Sequence, residues 1–255
     1  MFDRSHFAQL AGNERRRGAL GAGWLLLALA AGGGCSLTSR GQNMQGVSLY
    51  QQGQYQPAMQ HFQQAIDADP KNADGYYNLA ACYHQRGKLT KNQPDLDQAE
   101  HFYNQCLDRD PDGTHRDCYR GLAVLLAEEG RNEEAVRLLE GWADRNPSSA
   151  APKIELARLS EEFGKLDVAQ QQLLDALAVE PNNPRGLAAL GHLRERSGNP
   201  TQALADYQRS LWHDRYQPDL AARVSSLRSA LSPTSIVTPQ GGTRMVNVNP
   251  TYQRY

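Results

Sequence analysis

The chain repeats one short pattern five times along its 255 residues. A glycine in each copy is followed by an alanine, five positions later in four copies and twelve positions later in the second. The glycines, spaced 34, 43, 34 and 34 residues apart, are Gly53, Gly87, Gly130, Gly164 and Gly198. The copies close on Pro70, Pro111, Pro147, Pro181 and Arg215. A period in the thirties is typical of a solenoid of stacked helix pairs, and we expect each glycine to lie between the two helices of a pair.

The first copy, Met44 to Pro70, shows why such copies must stack. Ala58, Phe62 and Ala65 follow one another at the spacing of a buried helical stripe, in a helix that begins near Pro57. Small residues let two helices approach closely, and large residues beside them fill the remaining space. A single pair cannot bury its apolar face alone, so a continuous core needs neighbouring pairs.

The pattern predicts an all-α chain of five repeats and a capping helix. The repeats span residues 39–72, 73–113, 116–149, 150–183 and 184–217. Residues 218–231 are apolar at helical spacing and predict the cap, whereas residues 232–255 lack a helical period and predict a disordered tail. Seven extra residues, 88–94 (KLTKNQP), predict a loop of variable length or one that contacts a partner. A two-residue insertion, Thr114-His115, precedes the third repeat.

The order of residues in each copy resembles the tetratricopeptide repeat (TPR). The second repeat presents Tyr76, Leu79, Ala80, Tyr83, Gly87, Ala99, Tyr103, Cys106 and Pro111. The fourth presents Lys153, Leu156, Ala157, Ser160, Gly164, Ala169, Leu173, Ala176 and Pro181. Gln45, Trp142 and Arg215 depart from the pattern and weaken single repeats. The resemblance implies a right-handed α–α superhelix.

The resemblance also implies a peptide-binding groove lined by the first helix of each pair. Carried onto this sequence, the groove residues are Asn43, Val47, Tyr50, Tyr77, Asn78, Ala81, His84, Arg120, Val124, Ile154, Arg158, Ala188 and His192. The paired basic residues with which chaperone-binding members hold a terminal carboxylate are missing at Asn43, Val47 and Val124. For Tyr50 and Tyr77, packing between helices is an equal alternative to ligand contact.

The first 34 residues predict an export signal. Arg15, Arg16 and Arg17 precede an uncharged apolar run, Leu20 to Ala31, and small residues follow it. The run is shorter than the roughly 20 apolar residues that a membrane span needs.

Gly33, Gly34 and Cys35 resemble a bacterial lipoprotein box, which implies lipidation of Cys35, although Gly32 replaces the usual leucine. Ser36 then favours the outer membrane on the periplasmic side, with residues 35–42 as a polar tether. Simple secretion after residues 28–30 and an uncleaved anchor are the alternatives.

The sequence offers little for catalysis or cofactors. It has no glycine-rich phosphate loop, no His-Glu-x-x-His and no Cys-x-x-Cys, so we expect neither an enzyme nor a cofactor. A net charge of −1 argues against a nucleic-acid partner. Asp108, Asp110 and Asp112 have the spacing of the start of a Ca²⁺ loop, but Tyr119 occupies the position of its bidentate glutamate. A structural turn is the favoured interpretation, and a weak metal site is the alternative.

Cys82, Cys106 and Cys118 follow Cys35. Cys106 closes one helix and Cys118 opens the next, so a disulfide between them is one interpretation. Three buried thiols are the other.

Together these features favour a non-enzymatic scaffold that is exported, lipid-anchored and binds a protein or peptide in its groove. The chain resembles bacterial repeat lipoproteins that serve envelope assembly, such as those that aid pilus secretins or outer-membrane barrels. This resemblance is at the level of fold and does not identify a partner. The alternative is a small-molecule or Ca²⁺-binding repeat module.

Overall fold

The computed structural model describes residues 33–232, and every regular element in that range is a helix. The helices are α1 (Gly33–Gln51), α2 (Tyr55–Ala68), α3 (Ala73–Thr90), α4 (Gln93–Asp108), α5 (Arg116–Glu128), α6 (Asn132–Arg145), α7 (Ala151–Glu162), α8 (Leu166–Val179), α9 (Pro184–Arg196), α10 (Pro200–His213) and α11 (Pro218–Leu231). The predicted export signal and tail fall almost entirely outside the described residues.

The helices form five pairs and a final single helix. Each helix packs on the next, and each odd-numbered helix from α1 to α7 also contacts the following odd-numbered helix. The odd-numbered helices therefore make one continuous face. Buried apolar side chains join neighbouring pairs: one cluster links α2, α3, α4 and α5, and the next runs from α3 to α7. The predicted solenoid of helix pairs with a capping helix is confirmed.

Four of the five repeat glycines end a helix in the left-handed conformation. Gly53, Gly130, Gly164 and Gly198 have φ values of 77°, 77°, 73° and 80°. The residue after each glycine donates its backbone N–H to a carbonyl five positions earlier, as Gln54 does to Leu49 at 2.9 Å. This is the Schellman ending, in which only glycine avoids the clash of a β-carbon. The recurrence of glycine thus has a backbone cause.

The second pair departs from the prediction, because Gly87 lies inside α3 and Lys91 makes the turn. Lys91 has a φ of 53°, and Asn92 donates to the Gly87 carbonyl at 3.0 Å. A β-carbon on Gly87 would lie 2.6 Å from Leu96 Cδ2, so this glycine serves helix contact instead. The extra residues 88–94 lengthen α3 and α4, and the predicted loop is wrong.

The Lys91→Gly substitution is expected to stabilise the protein by about 0.5–1 kcal/mol. A left-handed lysine is strained by about 1–2 kcal/mol, and the greater chain entropy of glycine offsets only part of that. Urea unfolding followed by circular dichroism gives the change. Gly164→Ala is the opposite test, because it places a β-carbon at a φ of 73° and should lower stability. A Lys91→Gly variant less stable than wild type would contradict this turn assignment.

The segment predicted as a tether is helical. Residues 35–42 lie within α1, and Ser39 has 0% exposure. Gln42 Oε1 lies 2.6 Å from His61 Nδ1 on α2, so packing and hydrogen bonding hold this segment against the first repeat. Thr38 and Arg40 are exposed, so the polarity of this segment marks the outer side of a helix, and the predicted tether is wrong. Within residues 33–232, no helix is long and apolar enough to cross a membrane.

Trp142, which departs from the repeat pattern, is part of the core. It is 2% exposed, and its ring stacks on Tyr119 with 4.4 Å between the centroids. Its Nε1–H donates to the carbonyl of Gly113 at 2.8 Å. Gly113 has a φ of 64°, and a β-carbon there would lie 3.2 Å from the indole. The turn that contains Gly113 and leads into the Thr114-His115 insertion therefore accommodates the large side chain.

Candidate functional site

The predicted groove residues all lie on odd-numbered helices, but many of them are not open to a ligand. Five are buried: Asn43, Asn78, Ala81, His84 and Ile154. Seven are partly buried: Val47, Tyr50, Tyr77, Arg120, Val124, Arg158 and Ala188. His192 is exposed. The face is therefore closed in its amino-terminal half and becomes more accessible and more charged from α5 onwards.

Aromatic and amide groups close the amino-terminal half. Asn78 Nδ2 donates to Asn43 Oδ1 at 3.4 Å between α3 and α1. The ring of Tyr77 lies 6.1 Å from that of Tyr103 and 5.9 Å from that of His115, and burial raises the pKa of Tyr77 well above its ordinary value. The packing alternative is therefore the better description of Tyr77.

His84 belongs to an internal polar network. Its Nε2 lies 3.0 Å from Glu128 Oε2, and Lys88 Nζ donates to Glu128 Oε1 at 2.5 Å. Burial raises the pKa of Glu128, but hydrogen bonds from His84 and Lys88 outweigh that effect and lower it to about 2. This network ties α3 to α5, and His84 is 1% exposed, so it supports the wall of the groove.

Three arginines from successive odd-numbered helices converge on one buried carboxylate, Glu155, which is 1% exposed. Arg185 on α9 donates from Nη2 to Glu155 Oε1 at 2.6 Å, and Arg158 on α7 donates from Nε to Oε2 at 3.1 Å. Arg120 on α5 approaches Oε2 with Nε at 3.9 Å, which is too long for a hydrogen bond. We call these three side chains around Glu155 the arginine cluster.

The electrostatics of the arginine cluster favour an ionised Glu155. Burial raises the pKa of this carboxyl group, but the positive charges of Arg185, Arg158 and Arg120 more than offset burial, and the pKa lies below its ordinary value. Glu155 thus holds Arg158 and Arg185 by hydrogen bonds and attracts Arg120 by charge alone. Sequence reasoning found Arg120 and Arg158 but missed Glu155 and Arg185. The spacing of three between Glu155 and Arg158 was the available signal.

The arginine cluster retains a positive excess at the surface. The side chains of Arg120, Arg158 and Arg185 are 28%, 27% and 35% exposed. Glu162 pairs with Arg158 Nη1 at 2.7 Å and is itself 48% exposed. Three cations against these two carboxylates leave one positive charge on a rigid, partly exposed surface. Planar guanidinium groups in this setting suit carboxylate ligands.

The aspartates of the candidate Ca²⁺ loop serve the turn instead. Asp110 Oδ1 accepts the backbone N–H of Thr114 at 3.0 Å, and Asp110 Oδ2 accepts that of His115 at 2.6 Å. Asp108 and Asp112 are exposed. Within residues 33–232, one group of three His, Cys, Asp or Glu side chains has its potential metal-binding atoms within 4.8 Å of one another. None of these three aspartates belongs to that group. The structural interpretation of Asp108, Asp110 and Asp112 is the better one.

The cysteines divide between a linked pair and a single thiol. Cys106 on α4 and Cys118 on α5 form a disulfide with 6.1 Å between their Cα atoms. Cys82 is a buried free thiol, and burial raises its pKa. Cys106 and Cys118 are therefore joined in a disulfide and are not two separate buried thiols.

Models of a known helical repeat match overlapping parts of the chain. One that describes a TPR repeat matches residues 46–87, and two that describe a tetratricopeptide repeat match residues 73–112, 93–151 and 126–193. Together they run without a gap from residue 46 to residue 193, more than half of the 255 residues. All three describe a structural repeat and none a catalytic domain.

Two curated proteins show the same similarity over part of their length. The chain is 30% identical over 143 residues to the cellulose synthase operon protein C of Pseudomonas fluorescens. It is 24% identical over 142 residues to the Hsp70-Hsp90 organizing protein of Triticum aestivum. These matches cover 53% and 54% of this chain but 11% and 23% of the two relatives. The chain therefore corresponds to a minor part of each.

Solved structures agree on the fold. A thermophilic TPR protein of Thermus thermophilus is 25% identical, with 74% of this chain and 98% of that one covered at a TM-score of 0.55. The APC/C hetero-tetramer Cut9-Hcn1 is 15% identical, with 76% of this chain and 37% of that one covered at a TM-score of 0.50. The second likeness shows the fold alone. Repeat models, relatives and architecture agree, and the chain belongs to the tetratricopeptide repeat family.

Proposed function

We propose that this protein is a scaffold that binds an acidic segment of a partner protein across the odd-numbered helices α5, α7 and α9. The observation that carries the proposal is the arginine cluster, in which Glu155 gathers three partly exposed guanidinium groups from three successive repeats and fixes two of them by hydrogen bonds. An acidic segment that crosses this face would meet the three groups close together. The name of the Hsp70-Hsp90 organizing protein describes a relative that organises other proteins, which is consistent with a scaffold role.

Preorganisation is the physical reason to expect binding at this place. Long arginine side chains lose conformational entropy when they bind a ligand, and fixing them beforehand reduces that cost. Glu155 already holds Arg158 and Arg185 by hydrogen bonds. Arg120, which is farther from the carboxylate, can turn toward a ligand without breaking a short contact. Arg120 is therefore the side chain whose substitution should reduce binding with least damage to the fold.

Site-specific photo-crosslinking in cells tests this proposal. A photoreactive amino acid replaces His192, which is 62% exposed on α9, or Val168, which is 47% exposed on the even-numbered helix α8. We expect a crosslinked partner from position 192 and not from position 168, with the attached peptide rich in aspartate and glutamate. Equal crosslinking from both positions, or a basic crosslinked peptide, would contradict the proposal.

We further propose that the chain is exported and lipid-anchored on Cys35, as part of a bacterial envelope assembly. The support is the order of Arg15 to Arg17, the apolar run and the small residues before Cys35. Growth with labelled palmitate should label the wild type and not Cys35→Ala. Absence of label on the wild type, or label that survives Cys35→Ala, would contradict this proposal and leave the binding proposal intact.

A further inference from the structure

Two cysteines and a histidine meet where the second repeat passes into the third. Cys106 lies in the last turn of α4, Cys118 lies in the first turn of α5, and both are 0% exposed. His115 lies just before α5, and its Nδ1 is 3.0 Å from Cys118 Sγ. The two sulfur atoms and a ring nitrogen of His115 all lie within 4.8 Å of one another.

The histidine is held in the orientation and tautomer that a metal ligand needs. His115 Nε2 lies 2.8 Å from Asp74 Oδ1 on α3, and this contact favours the neutral tautomer with the proton on Nε2, in which the lone pair of Nδ1 faces the sulfur atoms. A carboxylate on the far nitrogen of a histidine is the usual outer partner of a zinc ligand. This contact is independent of the closeness of the three donors, and it supplies the outer partner that such a ligand has.

The insertion that breaks the repeat period positions this histidine. Thr114 and His115 are the two extra residues before the third repeat. Asp110 accepts both of their backbone N–H groups, at 3.0 Å and 2.6 Å, and also the Thr114 hydroxyl at 2.8 Å. Asp110 therefore fixes the backbone of Thr114 and His115 just before α5. The side chain of His115 is 19% exposed.

From this arrangement we propose that the reduced protein binds one Zn²⁺ through Cys106 Sγ, Cys118 Sγ and His115 Nδ1, and that the Cys106–Cys118 disulfide prevents binding. Two thiolates neutralise the dication, so a buried site carries no net charge. Three protein ligands leave a fourth position for water. Tetrahedral zinc would separate the two sulfur atoms by about 3.8 Å, which requires the disulfide to be open.

An external dithiol can convert the disulfide form into the reduced form that binds zinc. The reductant transfers two electrons and two protons to the disulfide, the S–S bond breaks, and the reductant becomes a disulfide. Zinc then replaces the two thiol protons, which pass to solvent. The site would thus report the thiol–disulfide state through metal occupancy.

Calorimetry with Zn²⁺ on the full chain tests the proposal. The protein is reduced with a phosphine, stripped of metal with a chelator and compared with the oxidised form. We expect one Zn²⁺ per reduced chain and none in the oxidised chain. Cys106→Ser and Cys118→Ser should abolish binding, Asp74→Asn should weaken it by about 10- to 100-fold, and His115→Ala should weaken it more than Asp74→Asn does. Cys82→Ser and His101→Ala are the matched controls and should bind as the wild type does.

A measurement on the wild type keeps the proposal testable even if a variant fails to fold. Zn²⁺ should slow the alkylation of Cys106 and Cys118, resolved by peptide mass spectrometry, and leave the rate at Cys82 unchanged. Titration with Cu⁺ is a second arm, because thiolates also select that ion. A reduced chain that binds Cu⁺ but shows no measurable binding of Zn²⁺ would overturn the choice of zinc. No binding by the reduced wild type, or binding that survives Cys118→Ser, would overturn the site itself.

Discussion

The Trp142→Ala variant should lose about 3–5 kcal/mol of its free energy of unfolding. The substitution removes a 2% exposed indole, its stacking on Tyr119 and the hydrogen bond to the Gly113 carbonyl. It also leaves a cavity between the third pair and the turn before it. Urea unfolding followed by circular dichroism gives the difference in free energy of unfolding, from the midpoint of the transition and its dependence on urea concentration.

Trp212→Ala is the matched control for this substitution, because Trp212 is 75% exposed on α10. Its effect should stay within about 0.5 kcal/mol. A Trp142→Ala variant whose stability is also within that range would show that the indole is not packed as described. Comparable losses from both variants would indicate a general sensitivity to the removal of tryptophan and would equally contradict the account.

Glu155→Ala is expected to cost about 2–3 kcal/mol at neutral pH. The substitution leaves three guanidinium groups close together without the carboxylate that offsets their charge and hydrogen-bonds two of them. The control is Glu162→Ala, which removes the exposed partner of Arg158 and should cost about 0–1 kcal/mol. If the two variants lose the same stability, Glu155 does not organise the arginine cluster.

The same carboxylate predicts a pH dependence. Its pKa is lower in the folded state than in the unfolded state, so its contribution is present above the ordinary carboxyl pKa of 4.5 and is lost as the pH falls through the folded value. The difference in stability between wild type and Glu155→Ala should therefore shrink below about pH 4.5. Urea unfolding midpoints of the wild type and Glu155→Ala at pH 7 and pH 3.5 measure this difference. A difference that grows on acidification would contradict the assignment of Glu155 as ionised.

The period of the sequence predicted the helix pairs because the physical causes are local. A helix that ends in the left-handed conformation favours glycine, and four of the five repeat glycines have that role. The alanines mark close crossings, as Ala99 and Ala169 do with 0% and 1% exposure. The glycine endings lie within single helices and the alanine crossings lie between adjacent helices. Both therefore leave a regular pattern that a single sequence reveals.

The failures arose where the outcome depends on distant residues. Gly87 has the sequence context of a turn, yet α3 continues past it to Thr90, and a β-carbon on Gly87 would lie 2.6 Å from Leu96 Cδ2 on α4. Trp142 breaks the pattern of its repeat, and only the turn at Gly113 makes room for it. The arginine cluster joins Arg120, Glu155 and Arg185 across three repeats, and no local pattern predicts that meeting.

Binding of a fluorescent peptide of alternating glutamate and alanine, followed by anisotropy, tests whether the arginine cluster is a binding site for acidic segments. We expect saturable binding that weakens with salt, and an affinity at least 10-fold lower for Arg120→Glu. Arg137→Glu is the matched control, because Arg137 is 65% exposed on the even-numbered helix α6. Wild-type affinity in Arg137→Glu together with the loss in Arg120→Glu would support the arginine cluster as the binding site. Equal affinities for all three proteins, or tighter binding of a lysine–alanine peptide, would contradict it.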